Sequence, residues 1–160
     1  LHYYFKNKEM LFEQVFMEAA SKLFPKINEI ISSDLPLFTK IEQFCDQYIT
    51  VVLENPYLPM FVLNELNQDP VYFMNKLWDK KKGPNARKFL QQMEEEVKKG
   101  TIKEVSPLHL LMNLISMTVF PFVGKPLFQM NFNIDELQFR IIMEQRKKEI
   151  PKFIIDSIKK

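Results

Sequence analysis

Between Lys8 and about Ser33, the apolar residues Phe12, Phe16, Ala19, Leu23, Ile27 and Ile30 recur at steps of three and four. That spacing lines up side chains on one face of an α-helix. Asn7 is placed as an N-cap, its side-chain oxygen accepting from a first-turn N–H, and Glu9 sits where the helix dipole favours a carboxylate. Pro25 removes one backbone hydrogen bond and crowds the preceding turn, which predicts a kink over Lys22 to Pro25 or a break into two helices.

The same reading continues along the chain. Asp34 and Pro36 start a helix whose stripe is Leu37, Ile41, Phe44, Tyr48 and Val52, ending before Asn55-Pro56. Pro59 fits the first turn of a short helix from Tyr57 to about Asn67, and Asp69-Pro70 opens another through Tyr72, Phe73, Leu77 and Trp78 toward Lys80-Lys81-Lys82. Gly83-Pro84 stops or kinks it. A further segment, Ala86, Phe89, Leu90, Met93 and Val97, ends at Gly100, the residue type that takes a left-handed cap.

Ser106-Pro107 then starts a helix to about Phe122 that is apolar around nearly its whole circumference. Such a helix must be covered on more than one side. In a chain this small, one face is expected to meet the protein's own core and another a second subunit, with Leu114, Met117, Leu137 and Ile141 as the interface candidates. The last helix is expected to begin at Asn133 as N-cap, with Glu136 completing a capping box, and to bend or split at Pro151. No period-2 stretch and no Asn-Gly or Asp-Gly hairpin signal occurs, so the fold class is all-α.

Composition agrees. The 160 residues suit one domain with a sizeable core, and three Gly against fifteen Phe and nine Met point to helices packed by large, adaptable side chains. The formal charge of +2, with basic residues spread along the chain, does not by itself identify a nucleic-acid binder. Cys45 is the single cysteine and can form no internal disulfide, which fits a reducing cytoplasm. The most apolar run, Leu108 to Val123, is 16 residues and interrupted by polar ones, short of the ~18 to 20 that span a bilayer. No membrane partner is expected.

The opening stretch carries the most specific pattern. Leu1, Tyr3, Tyr4, Phe5, Lys8, Glu9 and Leu11 form a sequence that resembles the close of the DNA-binding unit in TetR-family transcriptional regulators, an L-x-Y-x-F-like run followed by x-x-K-E-x-L. The resemblance implies that residues 1–7 are the remnant of a helix-turn-helix whose other helices, on the order of 40 residues, precede Leu1. Residues 8–160 would be the ligand-binding and dimerisation domain, its last two helices pairing across a two-fold axis as a four-helix bundle. Tyr3, Tyr4 and Lys8 would contact the DNA backbone, and an apolar effector would release operator DNA from the homodimer.

Other chemistry finds little support. With two His, one Cys and no H-E-x-x-H, phosphate loop or G-x-S-x-G, neither enzyme activity, a cofactor nor a metal is expected. Glu94-Glu95-Glu96 is a solvated face, His109 a hydrogen-bonded structural histidine near a helix start, and Cys45 a small core residue. Phe44, Tyr48, Phe61, Tyr72, Trp78 and Met112 are the candidates to line a plastic hydrophobic pocket, with Met60 and Phe120 in the same inventory. The competing functional class is a helical small-molecule- or lipid-binding or adaptor protein without a DNA reader.

Overall fold

In the computed structural model of the chain, the described residues are 2–77 and 86–160, with side chains from residue 6 onward. They form eight helices: α1 His2–Ser32, α2 Leu37–Glu54, α3 Leu58–Gln68, α4 Pro70–Leu77, α5 Ala86–Lys99, α6 Pro107–Val123, α7 Lys125–Phe132 and α8 Glu136–Ile158. The all-α expectation holds. The only pairing of strand type among these residues is an isolated antiparallel bridge between Ile102 and Lys159, which ties the α5–α6 connection to the end of α8.

Most helix starts and stops fall where local chemistry puts them. Pro36 leads into α2, Pro59 occupies the first turn of α3, and Asp69 accepts from the Tyr72 N–H at 3.0 Å. Gly100 has a φ of 74° at the end of α5, a conformation that suits a residue without Cβ, and Ser106 accepts from the His109 N–H at the start of α6.

Two apolar clusters hold the helices together. The larger buries Ile41 and Ile49 of α2, Phe89 and Met93 of α5, Leu114 of α6, and Met143 and Ile150 of α8. The smaller joins Ala20 and Leu23 of α1 to Leu58 of α3 and Phe73 of α4. Ile27 and Tyr48 pack against both, so they stand at the seam.

Four local expectations are corrected. First, α1 runs through Asn7, which is no N-cap: Lys6-Asn7-Lys8 contains neither Gly nor Pro, and Asn alone does not stop a helix. The stripe is buried only from Ala19 onward, while residues 6–15 face solvent. Second, of the bend or break expected at Pro25 and Pro151, the break does not occur: both lie inside continuous helices. Pro25 and Ser21, whose carbonyl loses its partner, are both exposed, so water can satisfy that oxygen.

Third, α8 is capped two residues later than expected, by Asp135 rather than Asn133. Asp135 accepts from the Gln138 N–H at 2.8 Å while the Gln138 side chain accepts from the Asp135 N–H at 2.9 Å. Asn133 instead ends α7 with a φ of 52°, a left-handed position that Asn tolerates better than most residues. Fourth, α7 was not expected at all. It buries none of its residues and so draws no stripe; Pro126 in its first turn is its main local signal.

Proline also shapes the end of α6. Pro121 has no N–H to give the Met117 carbonyl, and Arg146 of α8 supplies the missing donor, its Nη2 donating to that oxygen at 3.0 Å. A lysine treats the end of α1 alike: the ammonium of Lys40, covered almost entirely, donates to the Ile31 carbonyl at 3.2 Å.

Candidate functional site

At the seam lies a cavity of about 280 Å³, close to the lower end of the ~300 to 1,000 Å³ of ordinary ligand pockets. Helix α1 contributes Leu23, Phe24 and Ile27, and α2 contributes Phe44 and Tyr48. Leu58, Pro59, Val62, Leu63 and Leu66 of α3 close one side, and Ile115 and Val119 of α6 the other. Each wall follows from helical spacing. Leu23 and Ile27, Phe44 and Tyr48, and Ile115 and Val119 are all i, i+4 pairs, one above the other on a helix face.

Among these side chains the Tyr48 hydroxyl is the only polar group. It has no hydrogen-bond partner among the described residues, and burial pushes its pKa above the usual phenol value. The ring stacks on Phe44 at 6.2 Å and 9°, and meets Phe122 at 6.3 Å. Those contacts hold a neutral phenol in a fixed place. No charged group faces the cavity, so an ion entering it would lose water without compensation.

Of the six pocket candidates named from sequence, two line this cavity: Phe44 and Tyr48. Phe61 packs on the far side of α3, 5.2 Å from Phe16 and 6.2 Å from Phe73 by ring centroids, within the smaller core cluster. Tyr72 and Met112 are exposed and belong to the surface. Trp78 lies outside the described residues, as do Lys80-Lys81-Lys82, Gly83-Pro84 and the side chains of Tyr3 and Tyr4. The wall residues missed by the sequence reading include Phe24, Val62, Ile115 and Val119. Phe24 stands one step off the α1 stripe, and Ile115 and Val119 belong to a helix that is apolar nearly all round.

Among the interface candidates, Leu137 and Ile141 are exposed on α8, while Met117 is partly covered. Leu114 is a correction: at 1% exposure it points into the larger core, in line with Leu110, Thr118 and Phe122, and offers nothing to a second subunit. The exposed apolar side of α6 is Leu108, Met112, Ile115 and Phe120, followed by Leu127, Met130 and Phe132 on α7.

Lys8 is exposed, its ammonium 6.0 Å from the Phe12 ring centroid. His109 is exposed rather than structural, and only its backbone N–H is used, in the α6 cap. Cys45 is wholly buried 4.0 Å from the Thr118 hydroxyl, and burial pushes its thiol up to about 12. No group of three or more His, Cys, Asp or Glu that could hold a metal occurs among the described residues. Nor is any single helix there long and apolar enough to cross a membrane; α6 and α7 reach the length only as a pair bent by 64°. No protein-family model matches the sequence, and no curated protein matches it.

Proposed function

We propose that this chain is the effector-binding and dimerisation part of a ligand-responsive, cytoplasmic transcriptional regulator of the TetR type, a repressor rather than an enzyme. The observation that carries the reading is the seam cavity, one wall of which is α1. That helix runs without a break from the residues resembling the end of a DNA reader, through Lys8, to Leu23, Phe24 and Ile27 at the cavity. A molecule that changes the packing at Leu23 to Ile27 therefore acts on the rigid element that carries the reader.

The effector that fits is uncharged and largely apolar, with one polar atom for the Tyr48 hydroxyl. The exposed apolar residues of α6 and α8 supply the surface for a second copy, in the four-helix arrangement that the resemblance implies. Two readers set one helical turn apart, about 34 to 36 Å, would grip a palindromic operator. Effector binding would shift the population toward a spacing that no longer fits.

The test uses the natural polypeptide. Selection from random duplexes is expected to return a palindrome, and Lys8→Ala is expected to weaken binding to all sequences alike. It should also reduce the slope of log affinity against log salt by about 0.9 for one lost phosphate contact. An unchanged slope removes Lys8 from the interface. Failure to retain any duplex replaces the regulator reading with a helical small-molecule-binding or adaptor protein that shares the same cavity.

A further inference from the structure

A second cavity, of about 250 Å³, lies among α6, α7 and α8. Its wall is apolar, including Met117, Phe120, Phe139, Ile142 and Met143, except for Ser116 and Arg146. This is the reverse of the seam cavity, where no charge is present.

Arg146 is electrostatically incomplete. One N–H serves the Met117 carbonyl, its Nε is buried with no partner, and among the described residues it forms no ion pair. Glu149, one turn along α8, favours its charge only from a distance. Burial pulls the guanidinium's pKa down from its ordinary value, yet an arginine keeps its proton at physiological pH. A partly buried cation beside an apolar hollow lacks one thing, an anion whose remaining atoms are apolar. A planar carboxylate matches the guanidinium fork.

We propose that the α6–α7–α8 cavity binds a small apolar carboxylate, an aromatic or short aliphatic acid, through Arg146. The site is separate from the seam cavity and does not depend on the regulator reading. The carboxylate completes the charge of Arg146, and its hydrocarbon part fills the space between Phe120, Phe139 and Ile142.

Sodium benzoate and the uncharged, near-isosteric benzamide test this, read by methionine methyl NMR of the purified protein. Met117 and Met143 line this cavity and no methionine lines the other, so the readout is local. Benzoate is expected to shift those two methyls saturably, leaving the exposed Met10 and Met130 unmoved, with affinity about tenfold or more above that of benzamide. Arg146→Gln removes the charge while keeping a polar, hydrogen-bonding side chain, and should bring benzoate down to the benzamide level. Arg146→Lys should retain the preference. Equal binding of the two probes, shifts spread evenly over all methionines, no saturable shift, or an Arg146→Gln variant that binds benzoate as before would each overturn the assignment.

Discussion

The pairing of Pro121 with Arg146 makes a quantitative prediction through a double-mutant cycle. Pro121 deprives the Met117 carbonyl of its helical donor, and the Arg146 Nη2 replaces it at 3.0 Å. Arg146→Met keeps most of the apolar stem and leaves that carbonyl unpaired, a loss of about 1 to 3 kcal/mol. Release of a partly buried, unpaired cation offsets some of it, so a net destabilisation of about 1 kcal/mol is expected. In a Pro121→Ala background, the Ala N–H closes the ordinary bond to Met117 and the guanidinium becomes redundant. Arg146→Met should then cost little, or stabilise slightly, giving a coupling of about 1 kcal/mol between the two sites. Urea unfolding of the four proteins, analysed with a common m-value, resolves that difference. If Arg146→Met costs the same in both backgrounds to within about 0.3 kcal/mol, the guanidinium is not the substitute donor and the reasoning fails.

Three further outcomes follow from the geometry. Asp135→Ala removes the side chain that accepts from the Gln138 N–H and should cost about 1 kcal/mol by thermal or urea unfolding, whereas Asn133→Gly, at a left-handed position, should cost nothing; the reverse order would restore Asn133 as the cap. Cys45, buried with its thiol pushed up to about 12, should resist iodoacetamide at pH 8 until the chain unfolds, and native labelling at the rate of a free thiol would contradict its burial. Lys152 and Lys159 hold the Asp156 carboxyl at about 2 against an ordinary 3.8. Between those values the unfolded chain binds the extra proton, so this contribution is present above pH 3.8 and is lost as pH falls through about 2. Asp156→Asn should therefore flatten the acid limb of the stability profile, and an unaltered limb would show the ion pairs to be inert.

The helices legible in the sequence were those with a local stop or start and a buried stripe. Pro36, Asp69, Gly100 and Ser106 act within a few residues of themselves, so their effects could be read without knowing what packs nearby. Helix α7 has neither a stripe nor a buried residue, so the spacing of apolar residues did not mark it. Asn133 and Asp135 are both good caps, and the choice between them depends on which residue takes the left-handed turn after α7. The seam cavity was half visible in another sense. Phe44 and Tyr48 were identified, but whether an apolar side chain lines a hollow or fills a core is set by the distance to the facing helix. Phe61 and Val62 are neighbours on α3, and only the second faces the cavity.

Proline shows the same limit from the other side. A proline breaks a helix when the carbonyl four residues earlier cannot be satisfied, and that is a tertiary question. At Pro25 the freed oxygen belongs to an exposed Ser21, within reach of water. At Pro121 it belongs to Met117, part-covered, and a side chain 29 positions along the sequence reaches it. Meeting that second demand with arginine has a consequence for function. A guanidinium carries more donors than one carbonyl can use, and here Arg146 lines an apolar cavity and forms no ion pair among the described residues. Repair of the α6 backbone thus places an uncompensated positive charge where a small carboxylate could meet it.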